Sequence, residues 1–135
     1  MIEPAGEATN APIKVLGLDH IVLNVADVER SLAFYTDRLG LRPLRVDEWR
    51  VGNAPFPSVA LDATTIIDLF AADRSGENLN HFALVVDAID LDLLSQSGSF
   101  EVAEGPGPRW GAQGMGTSVY IRDPDGNTVE LRTYP

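Results

Sequence analysis

The stretch Leu18-Asp19-His20 recurs in the second half of the chain as Leu79-Asn80-His81. A second stretch, Thr65-Ile66-Ile67-Asp68-Leu69, recurs at almost the same spacing as Asn127-Thr128-Val129-Glu130-Leu131. The only two histidines of the chain, and one carboxylate in each copy, therefore occupy matched positions of an internal repeat. Repetition at a fixed long period is typical of a structural unit that occurs more than once. We therefore predict a duplicated fold with four polar side chains at equivalent places.

The composition is that of one ordinary globular domain. The chain has 135 residues, of which 44% are hydrophobic and 22% charged, enough for one core. Its net charge of -10 argues against nucleic-acid binding, which needs clustered Lys and Arg. The absence of cysteine excludes disulfides and thiolate metal sites and fits a cytoplasmic protein. We expect neither a signal peptide, because the start is polar and acidic, nor a membrane span, because no apolar run is long enough.

The hydrophobic pattern predicts the same order of elements in both copies: a strand, a helix and three more strands. In the first copy these are a strand at 18–25, a helix from Asp27 to Gly40, and strands at 41–46, 59–62 and 65–70. In the second copy they are a strand at 82–86, a helix at 88–96, and strands at 100–103, 117–121 and 128–131. The fold class is therefore α+β, with two βαβββ modules.

Polar and glycine-rich stretches divide these elements. Residues 49–57 are interpreted as a loop, and residues 123–127 as the turn of the last hairpin. Residues 104–116 contain five glycines and two prolines and are interpreted as a mobile lid, or as plain turn connectivity. We predict a flexible N-terminal arm at 1–14 and a single domain at 15–135. Module one spans 15–76 and module two spans 77–135, joined through a polar linker at 73–78.

Side-chain alternation places the four matched polar groups on one side of the sheet. His20 shares a strand face with Asn24, and His81 lies on the equivalent face of the second copy. Asp68 and Glu130 lie opposite the leucines that follow them. All four therefore lie on the face away from the helices, and two curved sheets joined through such faces would form a cleft.

His20, His81 and Glu130 supply two neutral imidazoles and one carboxylate. This set suits Fe(II), Mn(II), Zn(II) or Ni(II) and leaves coordination positions open for substrate oxygens. Asp68 is either a fourth ligand or, because Asp is one methylene shorter than Glu, a hydrogen-bond acceptor for a ligating histidine. The alternative is that each histidine is an ordinary half-buried residue of a strand.

Further candidates flank this set. Tyr120 would hydrogen-bond a metal-bound oxygen and act in catalysis with Glu130, or it is a strand tyrosine with a hydrated hydroxyl. Arg132 shares a face with Glu130 and would hold an anionic substrate, or it is a plain surface residue. Asn24 and Phe70 are predicted to bind substrate. Phe70 would belong to an aromatic wall with Trp49, Phe56 and Trp110, for which a core or loop-anchor role is the alternative.

Residues 15–135 resemble the vicinal oxygen chelate superfamily, which includes glyoxalase I, bleomycin resistance proteins and extradiol dioxygenases. The motifs that carry the resemblance are LDHIVLNV at 18–25 with Asp27, FY at 34–35, LGL at 39–41, NHFA at 80–83, DPDGN at 123–127 and VEL at 129–131. The chain also resembles glyoxalase-domain proteins of unassigned activity. The resemblance implies a glyoxalase-like cleft between paired βαβββ modules and a metal that chelates adjacent substrate oxygens. It further implies a homodimer. Some members of the superfamily build the site from both chains of the dimer.

The subfamilies differ at the matched positions, and none fits this chain throughout. Glyoxalase I has Glu where Asp68 stands. Extradiol dioxygenases have a Tyr ten residues before their Glu, as Tyr120 stands before Glu130, but they need a third histidine. Fosfomycin-modifying enzymes rely on several basic residues after the Glu, where this chain has only Arg132. The resemblance thus implies a metal-dependent lyase, dioxygenase or transferase acting on a small molecule with adjacent oxygens.

The alternative function is a non-catalytic protein that binds and sequesters a drug or toxin. Bleomycin-binding members of the superfamily lack the metal ligands, whereas this chain has them. A third possibility, an oligomerising scaffold, has little support in the sequence.

Overall fold

The computed structural model describes residues 11–73, 76, 78–122 and 126–135. The strands are β1 (Val15–Val25), β2 (Arg42–Leu44), β3 (Ser58–Ala60), β4 (Ile66–Ala71), β5 (Leu79–Val86), β6 (Glu101–Gly111), β7 (Gly114–Arg122) and β8 (Thr128–Thr133). The helices are α1 (Val28–Ala33), which continues as a π-helical turn (Phe34–Arg38), α2 (Val46–Arg50) and α3 (Leu91–Gln96). Most of the predicted arm, parts of the linker and the first three residues of the predicted last turn lie outside the described residues.

The eight strands form one sheet in the order β2-β3-β4-β1-β5-β8-β7-β6. Within each copy the first strand pairs in parallel with the last: β1 with β4, and β5 with β8. The two copies meet where β1 pairs antiparallel with β5. The predicted fold class is confirmed, because each copy contributes a strand, a helix and three further strands to an α+β architecture.

Each module has its own hydrophobic core on the helix side of the sheet. Helix α1 begins where the Asp27 side chain accepts a hydrogen bond from the Arg30 amide at 3.0 Å, and it buries Val28 and Leu32 against Val59 and Leu69. Helix α3 begins at Asp90, whose side chain accepts from the amides of Asp92 and Leu93, and it packs Leu91 and Leu94 on strands β7 and β8. With both cores on this side, the opposite face is left for polar groups.

The helices differ in length from the prediction. The α-helical part of the first one ends at Ala33, and the π-helical turn covers most of the remainder up to Gly40. The segment interpreted as a loop from Trp49 onward begins inside α2. In the described ranges, no helix has the length and apolar character needed to cross a membrane.

The predicted mobile lid at 104–116 is wrong, because these residues form most of strand β6, the tip of the hairpin and the start of strand β7. Their glycines allow close packing. A Cβ at Gly111 would collide with the Arg132 guanidinium and the Tyr134 hydroxyl, and a Cβ at Gly116 would lie 2.5 Å from the Thr133 carbonyl oxygen. Glycine content alone does not distinguish this use from a flexible loop. The stretch is therefore a packed hairpin whose tip approaches the C-terminal segment.

Candidate metal centre

Two irregularities in the β1–β5 pairing shape the centre of the sheet. Leu18 is opposite Leu84 but His20 is opposite Ala83, so that Asp19 is an extra residue in β1. Val22 is opposite His81 but Leu23 is opposite Leu79, so that Asn80 is an extra residue in β5. A bulge of this kind lets neighbouring side chains leave strict alternation. Asp19 and His20 are accordingly both buried, with 0% and 1% of their surface exposed.

The two histidines converge on one carboxylate within a single chain. His20 Nε2 lies 3.3 Å from Glu130 Oε1, and His81 Nε2 lies 3.0 Å from the same oxygen. One ligand atom from each of the three residues lies within 4.8 Å of the others. The structure therefore brings together three of the four matched polar groups in an arrangement that could hold a metal ion.

Each histidine is also held through its other ring nitrogen. His20 Nδ1 donates to Asp19 Oδ2 at 2.6 Å, and His81 Nδ1 donates to Asn80 Oδ1 at 2.7 Å. The partner is in both cases the preceding residue, on its bulge. A hydrogen bond at Nδ1 fixes the ring orientation and leaves Nε2 for a metal, which is how ligating histidines are commonly held.

Glu130 is held from the opposite side. Its Oε2 accepts from Ser118 Oγ at 2.8 Å and from Arg132 Nη1 at 2.6 Å. Both donors are buried. The carboxylate therefore presents Oε1 to the histidines while Oε2 is fixed by the protein.

Asp68 lies beside the three residues but outside the group that they form. Its Oδ2 is 3.7 Å from His20 Nε2, and its Oδ1 accepts from Ser58 Oγ at 2.5 Å. Burial raises the pKa of its carboxyl group, although the nearby charge of His20 and the Ser58 hydrogen bond act in the opposite direction. This position is compatible with the predicted role of a fourth ligand. The other predicted role, an acceptor for a ligating histidine, is taken by Asp19 and Asn80, which hold both Nδ1 atoms.

Burial and hydrogen bonding oppose each other at His20 and Glu130. Burial alone would lower the pKa of His20, but the Asp19 and Glu130 carboxylates outweigh it and raise that pKa to about 9. Burial alone would raise the pKa of Glu130, but hydrogen bonds from His20, His81 and Arg132 keep it well below its usual range. In the metal-free protein the carboxylates therefore keep a proton on His20, which a metal ion would have to displace.

Tyr120 lies next to Glu130 and His81. It is opposite Glu130 in the β7–β8 pairing, and its ring meets the His81 ring edge-on at 5.3 Å between centroids. Burial and the negative charge of Glu130 raise the pKa of its hydroxyl group. The hydroxyl is therefore a proton donor at neutral pH. On its other side, the Arg109 guanidinium lies 5.6 Å from the ring centroid.

Arg132 lies inside the protein, so its interpretation as a surface residue is wrong. It has no exposed area. Its guanidinium donates to Glu130, to Ser118 Oγ at 3.1 Å, and to backbone carbonyls of the β6–β7 hairpin at 3.0 to 3.3 Å. These acceptors engage both terminal nitrogens of the guanidinium, which an anionic substrate would need, so Arg132 supports Glu130 instead.

The remaining candidates are dispersed. Asn24 accepts from Asn80 Nδ2 at 3.4 Å, which places it next to the β5 bulge. Phe70 is 38% exposed and meets Phe56 at 6.1 Å between ring centroids. The other two members of the predicted aromatic wall lie elsewhere: Trp49 packs on the core of module one, and Trp110 stacks with the Arg45 guanidinium at 5.1 Å.

Four polar residues of the centre were missed from the sequence: Asp19, Asn80, Ser58 and Ser118. Asp19 and Asn80 stand at matched positions of the repeat, immediately before the histidines, and both offer a side-chain oxygen. Ser58 and Ser118 are separated by nearly the same spacing as the two histidines, and they donate to Asp68 and Glu130. The repeat could therefore have identified these supporting residues as well as the candidate ligands.

Comparison with known proteins finds a family model and curated relatives that match most of this chain. A family model described as "Glyoxalase/Bleomycin resistance protein/Dioxygenase superfamily" matches residues 17–131. The glyoxalase domain-containing protein RDO1 of Mycosarcoma maydis is 28% identical over 137 residues, covering 98% of this chain and 77% of that protein. A lactoylglutathione lyase of Salmonella typhimurium is 33% identical over 122 residues, covering 83% of this chain and 88% of the lyase.

Solved structures share the fold at lower sequence identity. The Mn(II)-bound glyoxalase from Novosphingobium aromaticivorans superposes with a TM-score of 0.67 at 24% identity, over 90% of this chain and 40% of that one. The 2,3-dioxygenase LapB from Pseudomonas sp. KL28 gives the same TM-score at 18% identity, over 89% of this chain and 43% of that one. This chain thus spans less than half the length of both neighbours.

Proposed function

Because the chain belongs to the glyoxalase/bleomycin resistance protein/dioxygenase superfamily, we propose that it is a divalent-metal-dependent enzyme acting on a small molecule with adjacent oxygen atoms. The observation that carries the proposal is the convergence of His20, His81 and Glu130, with ligand atoms within 4.8 Å of one another. Relatives named lactoylglutathione lyase and a neighbour described as Mn(II)-bound support it.

The donor set fits a transition metal. Two imidazole nitrogens and one carboxylate oxygen suit Fe(II), Mn(II), Zn(II) or Ni(II) and leave positions for substrate oxygens. His20, His81 and Glu130 would hold the ion, and Asp68 would stand next to His20. A metal held by these residues would polarise substrate oxygens and stabilise negative charge that develops on them.

Residues of the chain supply orientation and a proton. The Tyr120 hydroxyl stays protonated because of its raised pKa, and the Tyr120 ring contacts the ring of His81, so the hydroxyl would donate a hydrogen bond to a substrate oxygen. Glu130 stays ionised and is held by Ser118 and Arg132, so its free oxygen keeps a fixed direction. Asn24 and the Phe56–Phe70 pair would contact the remainder of the substrate.

The chemical step belongs to the lyase, dioxygenase or transferase class. The relatives named lactoylglutathione lyase make lyase chemistry the first to assay, with the metal-free protein reconstituted separately with each candidate ion. Turnover with any one ion that disappears in His81→Ala would support the proposal. Turnover that is equal with and without metal would contradict it.

Chelation of adjacent oxygens can be tested before the substrate is known. Cobalt(II)-substituted protein should change its visible spectrum with oxalate, which presents two adjacent oxygen donors, and much less with formate. The same change should be absent in Glu130→Gln. A spectrum that oxalate leaves untouched would contradict open coordination positions.

A sequestering role is the second candidate, and the partly exposed Phe56–Phe70 pair favours it. A binding protein of this kind should retain an aromatic compound such as bleomycin when EDTA has removed all metal. If EDTA abolishes binding, the sequestering role fails. If the aromatic compound still binds in EDTA and added metal does not increase its affinity, the sequestering role is favoured over the enzyme proposal.

A further inference from the structure

We propose that Asp19 is a positioning residue that fixes His20 in its metal-binding orientation and ties it to the C-terminal segment and the β6–β7 hairpin. The proposal deepens the metal centre described above and rests on it. It makes the two histidines unequal: His20 is the anchored ligand, and His81 the adjustable one.

The Asp19 carboxylate is held on both oxygens, by the adjacent His20 and by two groups distant in sequence. Oδ2 accepts from His20 Nδ1 at 2.6 Å and from the Ala112 amide at 3.0 Å. Oδ1 accepts from the Tyr134 hydroxyl at 2.5 Å. Arg132 Nε lies 3.7 Å from Oδ2 and has no hydrogen-bond partner in the described part of the chain. A fully buried carboxylate with these contacts has little freedom to turn.

The β1 bulge makes this arrangement possible. In a regular strand Asp19 and His20 would point to opposite faces, and the carboxylate could not reach the ring that follows it. The extra residue in β1 turns both side chains to the same buried side. The bulge therefore provides His20 with its supporting carboxylate from the adjacent position.

Asn80 holds the His81 ring as Asp19 holds the His20 ring, but its side chain is uncharged. Its Oδ1 accepts from His81 Nδ1 at 2.7 Å, but its Nδ2 makes a long contact of 3.4 Å with Asn24, and the residue is exposed. An amide oxygen fixes the ring tautomer, whereas a carboxylate also increases the electron density at the ligating nitrogen. The side chain of His81 is 13% exposed, against 2% for His20. The two halves of the centre thus have the same hydrogen-bond arrangement at Nδ1 and differ in rigidity.

Tyr134 completes the support of Asp19. Its hydroxyl also accepts from the Gln113 amide at 3.1 Å, and its ring lies 4.6 Å from the Arg132 guanidinium. Gly111 leaves the space in which the tyrosine hydroxyl and the guanidinium lie together. The hairpin tip and the C-terminal segment are therefore joined to His20 through Asp19.

The test compares Zn(II) affinity, by chelator competition, in wild type and four variants. Asp19→Asn is expected to weaken binding about 10- to 100-fold, as loss of such supporting groups commonly does. Tyr134→Phe keeps the carboxylate and should weaken binding less, and Asn80→Asp should strengthen it. Asp47→Asn removes one charge from a side chain that is 97% exposed and should leave affinity unchanged.

A metal-free measurement makes the outcome specific. In EDTA, ¹⁵N-edited NMR should show a slowly exchanging Nδ1 proton on His20 in wild type, faster in Tyr134→Phe and absent in Asp19→Asn. Wild type that binds no zinc would refute the proposed function, while this proton would still report on the positioning role. Its absence in wild type, or zinc affinity in Asp19→Asn equal to that in Asp47→Asn, would overturn the proposal.

Discussion

At the scale of single residues, the centre depends on how Glu130 divides its two oxygens. Oε1 faces both histidines, and Oε2 accepts from Arg132 at 2.6 Å. Arg132 has no exposed surface, and its next carboxylate, Asp19, is 3.7 Å away. Glu130 is therefore both a candidate ligand and the principal counter-charge of a buried guanidinium.

Glu130→Gln should abolish metal binding and also destabilise the metal-free protein. Removing one partner of a buried ion pair leaves the other charge uncompensated and costs about 3–5 kcal/mol. Urea unfolding in EDTA measures the free energy of unfolding, with the exposed Glu48→Gln as the control. Equal stability of these two variants would contradict the structural role of Glu130.

Asp68→Asn should weaken metal binding by no more than about tenfold, because Asp68 lies outside the group of three ligand atoms. Chelator competition against Glu130→Gln provides the comparison. A loss as large as that of Glu130→Gln would show that Asp68 is a fourth ligand.

The sequence predicts the candidate ligands of this centre better than the residues that hold those ligands in place. The repeat indicates His20, His81 and Glu130, because matched positions of a duplicated unit occupy equivalent places in the fold. Asp19 was missed because strict alternation assigns neighbouring residues to opposite faces, and the bulge that overrides it depends on pairing with β5, a strand from the other copy of the repeat. Arg132 could not be placed because its burial follows from the hairpin that covers it.

At the scale of elements, the β6–β7 hairpin shows why local composition misleads. Its five glycines and two prolines predict a mobile loop, yet it forms two long strands packed on the C-terminal segment. Gly111 and Gly116 are needed there because side chains and backbone of β8 and Tyr134 approach them closely. Contacts with residues distant in sequence, such as the hydrogen bond from the Ala112 amide to Asp19, stabilise what propensity alone would leave open.

Gly111→Ala should destabilise the protein by about 1–3 kcal/mol, because the added methyl group overlaps the Arg132 guanidinium and the Tyr134 hydroxyl. Gly17→Ala is the matched control, since no atom lies within 4 Å of its added methyl group. Urea unfolding of both variants measures the difference. A Gly111→Ala protein as stable as Gly17→Ala would contradict the close packing of the hairpin tip.

At the scale of the whole molecule, one continuous sheet joins both modules and assembles the centre within one chain. The sequence predicts the order of elements in each copy of the repeat. It does not predict whether the first copy pairs with the second copy of the same chain or with that of another chain. The β1–β5 ladder decides this, and it depends on long-range pairing that no local pattern encodes. The homodimer that the family resemblance implies stays a prediction.

Metal stoichiometry should therefore be one ion per chain at every protein concentration. If dilution converts a dimer to monomers, as followed by light scattering, metal content after gel filtration should not change. Loss of metal in step with dissociation would contradict a centre built from one chain.

The most direct test of the central claim is metal analysis of protein purified without a histidine tag, combined with an anomalous-scattering map of its crystals. We expect about one equivalent of a transition metal, with its anomalous peak between His20, His81 and Glu130, and loss of that metal in His20→Ala. Less than about a tenth of an equivalent in wild type, unchanged by His20→Ala, would contradict a metal-dependent function for this site.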